Sequence, residues 1–511
     1  MNSIQLSLFS SRISAICEEM GAVLRRTSFS PNIRDRLDFS CAIFDAQGGL
    51  CAQAAHIPVH IGSMAYAMTA IVQREQWQCG DMLVLNDPFL GGTHLPDVTL
   101  ICPCYCDDAL IGFVANRAHH ADIGAEQPGS MPLSSRLDEE GLVLKPQFLL
   151  RDDVIDEPLL ASILSHMRQP DQARGDFEAQ ISANRIGLTR LKALIEPLGA
   201  DHFRQAIAGI NAYGERISRS VIESIPNGVY SFQDWMDDDG QGRERIVINL
   251  TLHVEDQRVV ADFSGTADQV EGNINCSLAV TAAAVFYLFR CLMPDYTINC
   301  AGTFKPIELN VPEGCFLNAS YPAAVAAGNV ETSSRVVDVV MGALVAAIPE
   351  RLAAASQGSM NNVAMGSVHG EAGWDYYETI GGGMGASPEQ AGLSAIQTHM
   401  TNTLNTPIEV LESSYPLRIL RYEIRRGSGG AGHHRGGDGM VREYQFQQPT
   451  QVALLTERRL NAPWGLSGGA DGQAGCNQLN GEGLPPKVMF ETQPGDRLTI
   501  STPGGGGWGV E

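Results

Sequence analysis

The chain has no run approaching the ~20 uninterrupted apolar residues needed to span a bilayer, and its most apolar stretch, Leu278–Met293, carries Arg290. That stretch reads as a buried helix. Positive charge is also scarce: 35 Lys+Arg stand against 58 Asp+Glu, a net charge of −23 over 511 residues. Such an excess repels phosphate backbones and anionic lipid, so it argues against nucleic-acid and membrane-surface partners. No Cys-x-x-Cys pair occurs, and no Gly-x-x-x-x-Gly-Lys-Ser/Thr loop; the chain carries no nucleotide-binding P-loop of its own. A basic n-region followed by an apolar h-region is missing at the start, so the 12 cysteines are expected to be free thiols in a cytoplasmic protein. No repeat of fixed period appears either, which leaves solenoids and propellers unsupported.

Glycine is abundant, with 54 residues, about 11% against a usual ~7%. Many backbone positions therefore need positive φ or close approach. Residues 4–26 have helical spacing and end on Arg25 and Arg26, which suits the helix dipole. A hairpin is predicted from Phe39 through Ala46-Gln47-Gly48-Gly49, with further strands at Met82–Leu85, Val98–Tyr105 and Leu110–Ala115. Residues 157–225 read as three helices, strands return at Ile246–Val254 and Val259–Phe263, and helices are expected at 277–293 and 333–348. Beyond about 375, glycine clusters alternate with short β-prone runs that include Tyr444, Phe446, Trp464 and Trp508, unlike a flexible linker. The predicted class is α+β, a mixed α/β chain. Composition shifts divide it into a strand-rich region followed by helices (1–225), a mixed α/β region (226–400) and a glycine-rich β region (401–511).

The densest group of ligand-type side chains is Asn86-Asp87-Pro88-Phe89-Leu90-Gly91-Gly92-Thr93-His94-Leu95-Pro96-Asp97, followed by His119-His120-Ala121-Asp122. Imidazole and carboxylate together suit Zn, Mn, Fe or Co. A turn through Pro96 can aim His94 and Asp97 at one point, and neighbouring strands would return His119 or His120 to the same sheet end. Side chains alternate along a strand, so one of these two histidines should reach the metal and the other should face elsewhere. Asp38 is a fourth candidate; on spacing alone, turn-capping and core polar residues are the commoner reading of such a His/Asp cluster. In His56-Ile57-Pro58-Val59-His60, Pro58 argues against two histidines on one helical face, and hydrogen-bonded structural histidines are the simpler reading. Cys102-Pro103-Cys104-Tyr105-Cys106 would place its sulfurs too far apart on a strand to share one zinc, so they are expected in the core. Gly381-Gly382-Gly383 could form an anion nest or, more simply, a tight turn.

Taken together, several segments resemble the hydantoinase B/oxoprolinase family. They are the Asn86–Asp97 loop, His56–Met64, Pro128–Met131, Gly175–Gln180, Asp262–Thr266, Thr398–Glu409 and Thr502–Gly509. The resemblance implies one hydantoinase B-type unit, a metal-containing subunit of a hetero-oligomer with a separate hydantoinase A-type nucleotide-binding subunit, which would hold ATP and Mg and phosphorylate the substrate. It implies metal ligands at His94, Asp97 and His119, with Asp38 as a fourth, and so resolves the His119/His120 alternative. His120 and Asp122 then become candidate proton carriers, and His56 and His60 candidate substrate contacts. The implied activity is ATP-dependent opening of a hydantoin, 5-oxoproline or similar lactam. A ketone carboxylase subunit and a non-catalytic stabilising subunit are the alternatives.

Overall fold

Seven antiparallel strands whose residues alternate between two apolar faces form the first sheet of the computed structural model, which describes residues 3–55, 57–368 and 373–511. The strands are β1 (Phe39–Asp45), β2 (Leu50–Ala55), β3 (Met82–Leu85), β4 (Asp97–Cys106), β5 (Ala109–His119), β6 (Gln147–Arg151) and β7 (Val154–Ile155), in spatial order β2-β1-β5-β4-β3-β6-β7. Cys41, Ile43, Leu100 and Val114 point to one face, where Ile13 and Met20 of α1 (Ser3–Thr27) and Phe177 and Leu191 of α5 (Pro170–Ile195) cover them. Ala42, Phe44, Ile101, Phe113 and Ala115 point to the other, against Met64 and Met68 of α3 (Val59–Arg74) and Val280 of α7 (Leu278–Cys291). Between these helices lie α2 (Pro31–Arg34), α4 (Glu157–Leu164) and α6 (Ala200–Glu223). The sheet is thus a wall between two cores, and a residue's parity decides its side.

Strand β5 runs four residues past its predicted end at Ala115. Asn116 and Arg117 look like the polar end of a strand, but both are buried and satisfied: Asn116 donates to Gln180 O at 2.9 Å and Asn184 Oδ1 at 2.8 Å. Buried polar groups persist where they find partners. The extension carries His119 into register opposite Asp97.

A second sheet, β8 (Gly228–Asp238), β9 (Glu244–Glu255), β10 (Arg258–Asp262) and β11 (Ile307–Asn310), packs against α9 (Ser333–Val345) through Ile248, Leu250, Val336 and Val340. Its first strand is absent from the sequence expectation; along it the half-buried Tyr230, Phe232 and Trp235 are interrupted by the exposed Ser231 and Gln233. Between α7 and β11 lies the short α8 (Ala301–Phe304). The third sheet joins β12 (Asn362–Ser367) and β13 (Asp375–Glu378) to β16 (Thr450–Leu455) and β19 (Lys487–Thr492). The fourth joins β14 (Leu417–Arg425), which follows α10 (Ile408–Ser414), to β15 (Gly439–Phe446), β20 (Arg497–Ser501), β17 (Cys476–Leu479) and β18 (Glu482–Leu484). One core runs from Ala42 and Phe44 to Ala453 and Leu455 and so joins the first three sheets.

The glycine-rich region is folded, as its aromatic content predicts. Gly383 shows why glycine is needed there: a Cβ would sit 2.0 Å from Gly437 O and 2.3 Å from Gly505 N. Three backbone segments pass too closely for any side chain. Gly382 and Gly383 donate to the carbonyls of Ile396 and Pro503, so those N–H groups form no anion nest. All 12 cysteines are free; Cys102 and Cys104 lie in the core, and burial pushes the Cys104 thiol up to about 12. Among the described residues no helix is long and apolar enough to cross a membrane.

Candidate metal centre

The loop between β3 and β4 is built to turn back on itself. Asn86 ties its two ends by donating to Leu95 O at 2.8 Å and Leu142 O at 3.0 Å, while its Oδ1 accepts from Leu144 N. Gly91 adopts φ +113° and lies so close to α3 that a Cβ would meet the Ala67 Cβ at 2.3 Å. Its carbonyl accepts from Arg117 Nη2 at 2.8 Å, and the same guanidinium donates to Thr99 Oγ1 and Ser63 Oγ, both at 2.9 Å. Arg117 thereby pins loop, helix and two strands together. Burial lowers its pKa to about 10, with Asp97 acting in the opposite sense.

This frame delivers three buried side chains to one point. His94 Nε2 lies 3.2 Å from Asp97 Oδ1 and 3.2 Å from His119 Nδ1, and His119 Nδ1 lies 3.1 Å from Asp97 Oδ1. They are the one group of three His, Cys, Asp or Glu ligand atoms within 4.8 Å of one another among the described residues. Further contacts hold the ligands from behind. Asp97 Oδ2 accepts from Thr93 Oγ1 at 2.5 Å and from His60 Nε2 and Asn329 Nδ2 at 3.3 Å each. His94 Nδ1 faces Ala326 O at 3.2 Å. A carbonyl only accepts, so Nδ1 carries the hydrogen and Nε2 holds a lone pair.

Two lone pairs, on His94 Nε2 and Asp97 Oδ1, therefore meet at 3.2 Å. Only a proton or a cation between them makes that contact favourable. With bonds of about 2.1 Å, donor–donor edges are about 3.0 Å in an octahedral shell and about 3.4 Å in a tetrahedral one. The observed edges of 3.1–3.2 Å fall between, so the donor set fits a divalent transition metal. Burial disfavours charge on both partners, yet the pairing prevails. Facing Asp97 raises the His94 pKa, and the surrounding imidazoles hold Asp97 well below the usual carboxylate range.

Of the other residues singled out in the sequence, Asp38 and His60 line the same cavity. Asp38 is buried, and His119 Nε2 is both buried and unpartnered among the described residues. His60, in the first turn of α3, bridges Ser40 Oγ at 3.0 Å to Asp97. His56 lies outside the described residues. The structure does not bring His120 and Asp122 to the cluster. His120 emerges on the α5 side of the sheet, 2.9 Å from Gln180 Oε1 and beside the Phe177 ring, and burial lowers its pKa. Asp122 accepts from Gly124 N, Ser130 Oγ and Arg168 N.

Sequence reasoning does not single out Thr93, Ser40, Ala326, Asn329 or Tyr377 as site residues. Tyr377 stacks on His119 with ring centroids 4.9 Å apart and carries the Arg36 guanidinium on its ring, also at 4.9 Å. Thr93 and Ser40 lie inside segments already noted for their neighbours. Nothing local marks the other three.

A family model described as Hydantoinase B/oxoprolinase matches residues 2–511. The chain belongs to this family. It is 40% identical to 5-oxoprolinase 1 of Arabidopsis thaliana over 99% of its own length, but spans only 42% of that longer protein. It is 32% identical, over 97% of its length and 88% of the relative's, to a Pseudomonas sp. strain NS671 protein provisionally named as one subunit of a D-/L-hydantoinase. The crystal structure of the ATP-dependent caprolactamase from Pseudomonas jessenii superposes with a TM-score of 0.93 at 26% identity, covering 100% of this chain and 91% of that one. The mixed α/β architecture is thus shared with that structure.

Proposed function

We propose that this chain is the metal-bearing component of an ATP-dependent amidohydrolase that opens a cyclic amide after a nucleotide-binding partner has phosphorylated it. The observation that carries the reading is the convergence of His94 Nε2, Asp97 Oδ1 and His119 Nδ1 at 3.1–3.2 Å in a buried pocket. Support comes also from relatives named for oxoproline, hydantoin and caprolactam chemistry. The Arabidopsis oxoprolinase is more than twice the length of this chain, consistent with a further component being required.

Amide resonance makes a lactam carbon a poor electrophile. Transfer of the ATP γ-phosphoryl group to the lactam oxygen removes that resonance and creates a leaving group. Each ring opened consumes one ATP and two waters and releases ADP, phosphate and the linear amino acid. A divalent transition metal (Zn, Mn, Fe or Co) held by His94, Asp97 and His119 supplies Lewis acidity that acidifies water and polarises oxygen. His60, Thr93 and Asn329 occupy Asp97 Oδ2 and leave Oδ1 facing inward. Asp38, which lines the same cavity, completes the donor set or takes a proton from water. Tyr377, stacked on His119, closes the pocket from the third sheet and limits entry of bulk water.

The test is co-expression with a hydantoinase A-type subunit. The complex should hydrolyse ATP in a lactam-dependent way without bicarbonate. A strict bicarbonate requirement would assign the chain to carboxylation instead.

A further inference from the structure

We infer that Glu140 is a positioning residue of the metal centre, holding the Val325–Ala326 backbone so that the Ala326 carbonyl fixes His94 with its Nε2 lone pair turned inward. The inference rests on the metal reading above.

Glu140 follows a single 3-10 turn, Leu137–Glu139, and is fully buried. Its Oε1 accepts three hydrogen bonds, from Val325 N at 2.8 Å, Ala326 N at 2.9 Å and Ser134 Oγ at 2.7 Å. One oxygen receiving two successive backbone N–H groups sets the direction of both peptides. The opposite flank is also tied: Asn275 Nδ2 donates to Ala324 O at 3.0 Å, and Asn273 O accepts from Ala327 N at 2.9 Å and Gly328 N at 3.1 Å. Held from both sides, the segment presents the Ala326 carbonyl to His94 Nδ1 at 3.2 Å. The same segment leads directly into Asn329, which reaches Asp97.

Glu140 Oε2 has no partner among the described residues. A buried carboxyl group with an unpaired oxygen opposes folding, so its use here is better explained by orientation than by stability. Groups that orient ligand imidazoles through their second nitrogen typically alter metal affinity by about 10- to 100-fold. Glu140 acts one step further out, through the backbone.

The experiment is Co2+ titration of the full metal-free chain, followed by calorimetry and by the visible ligand-field bands of Co2+. Wild type should bind one equivalent. Glu140→Met, which removes the acceptor, should weaken binding by at least about 10-fold and shift the bands. Glu140→Gln, whose Oε1 can accept the same backbone N–H groups, should restore affinity to within about threefold. Should Glu140→Met fail to fold, Glu140→Asp withdraws the carboxylate by one methylene and should weaken Co2+ as the methionine does. A merely structural role would lower the stability of metal-free and Co2+-bound protein equally and leave affinity and bands unchanged. A folded Met or Asp variant with wild-type Co2+ binding overturns the proposal while leaving the metal reading intact. Failure of the wild type itself to bind Co2+ overturns both.

Discussion

Glu331 offers a direct measure of how polar burial beside the metal pocket bears on stability. It lies in the turn Gly328–Thr332 that carries Asn329, is fully buried, and accepts from Met360 N at 2.9 Å and Asn362 Nδ2 at 2.6 Å. Burial and the neighbouring Glu457 carboxylate raise its pKa from 4.5 to about 7. The folded chain therefore holds this proton more tightly than the unfolded chain. Stability contributed by the protonated form is fully present below about 4.5 and is lost as pH rises through about 7. At 1.36 kcal/mol per pKa unit the whole loss is about 3 kcal/mol, of which about 2 kcal/mol falls between roughly pH 5.5 and 8. Glu331→Gln keeps an acceptor for both hydrogen bonds but cannot ionise. Urea unfolding of the isolated chain should thus show the variant gaining about 2 kcal/mol on wild type between those two conditions, whatever constant offset the amide introduces. Glu140 and Asp375 are raised in the same direction, to about 7 and about 6, but both proteins contain them and they cancel in the difference. Parallel pH profiles for the two proteins would refute the reasoning.

The remaining predictions concern the triad and the packing around it. His94→Ala and Asp97→Ala should each reduce bound metal from about one per chain to near zero by elemental analysis, because two ligands do not hold an ion that three fix. His120→Gln should leave that stoichiometry at the wild-type value, since its ring is committed to Gln180 on the other side of the sheet. Gly383→Ala should cost more than about 3 kcal/mol or abolish folding, read from thermal or urea unfolding, because its Cβ would collide with the backbone at Gly437 and Gly505. Arg458→Met should cost about 3 kcal/mol or more in the same assay: the guanidinium bonds Asp338 at 2.5 Å and Asp234 at 3.1 Å, and its loss leaves two buried carboxylates short of a cation.

Local chemistry was legible in the sequence wherever it was built from adjacent residues. Asn86, Gly91, His94 and Asp97 make one loop whose turn residues and ligand-type side chains lie within a dozen positions, so spacing marks them as candidates, while the reading of His94 and Asp97 as metal ligands comes from the family resemblance. The fold class and most helices were legible for the same reason, since each depends on a short apolar period. Asn329, Ala326 and Tyr377 reach the triad from more than 200 positions away, through a backbone segment and a sheet whose placement no local pattern encodes.

The adjacent pair His119-His120 shows most clearly what parity adds to motif reading. Both are buried, both are imidazoles at the end of β5, and composition cannot separate them. Two facts do: Asp97 stands in register with His119, and Gln180 waits on the opposite face for His120. The division depends on β5 continuing past Ala115, which in turn depends on Asn116 and Arg117 finding buried partners on opposite sides of the sheet. Polar residues that look like the end of a strand are what carry it to the site. The position of the candidate metal centre is therefore set as much by the hydrogen-bond partners of Asn116 and Arg117 as by its ligands.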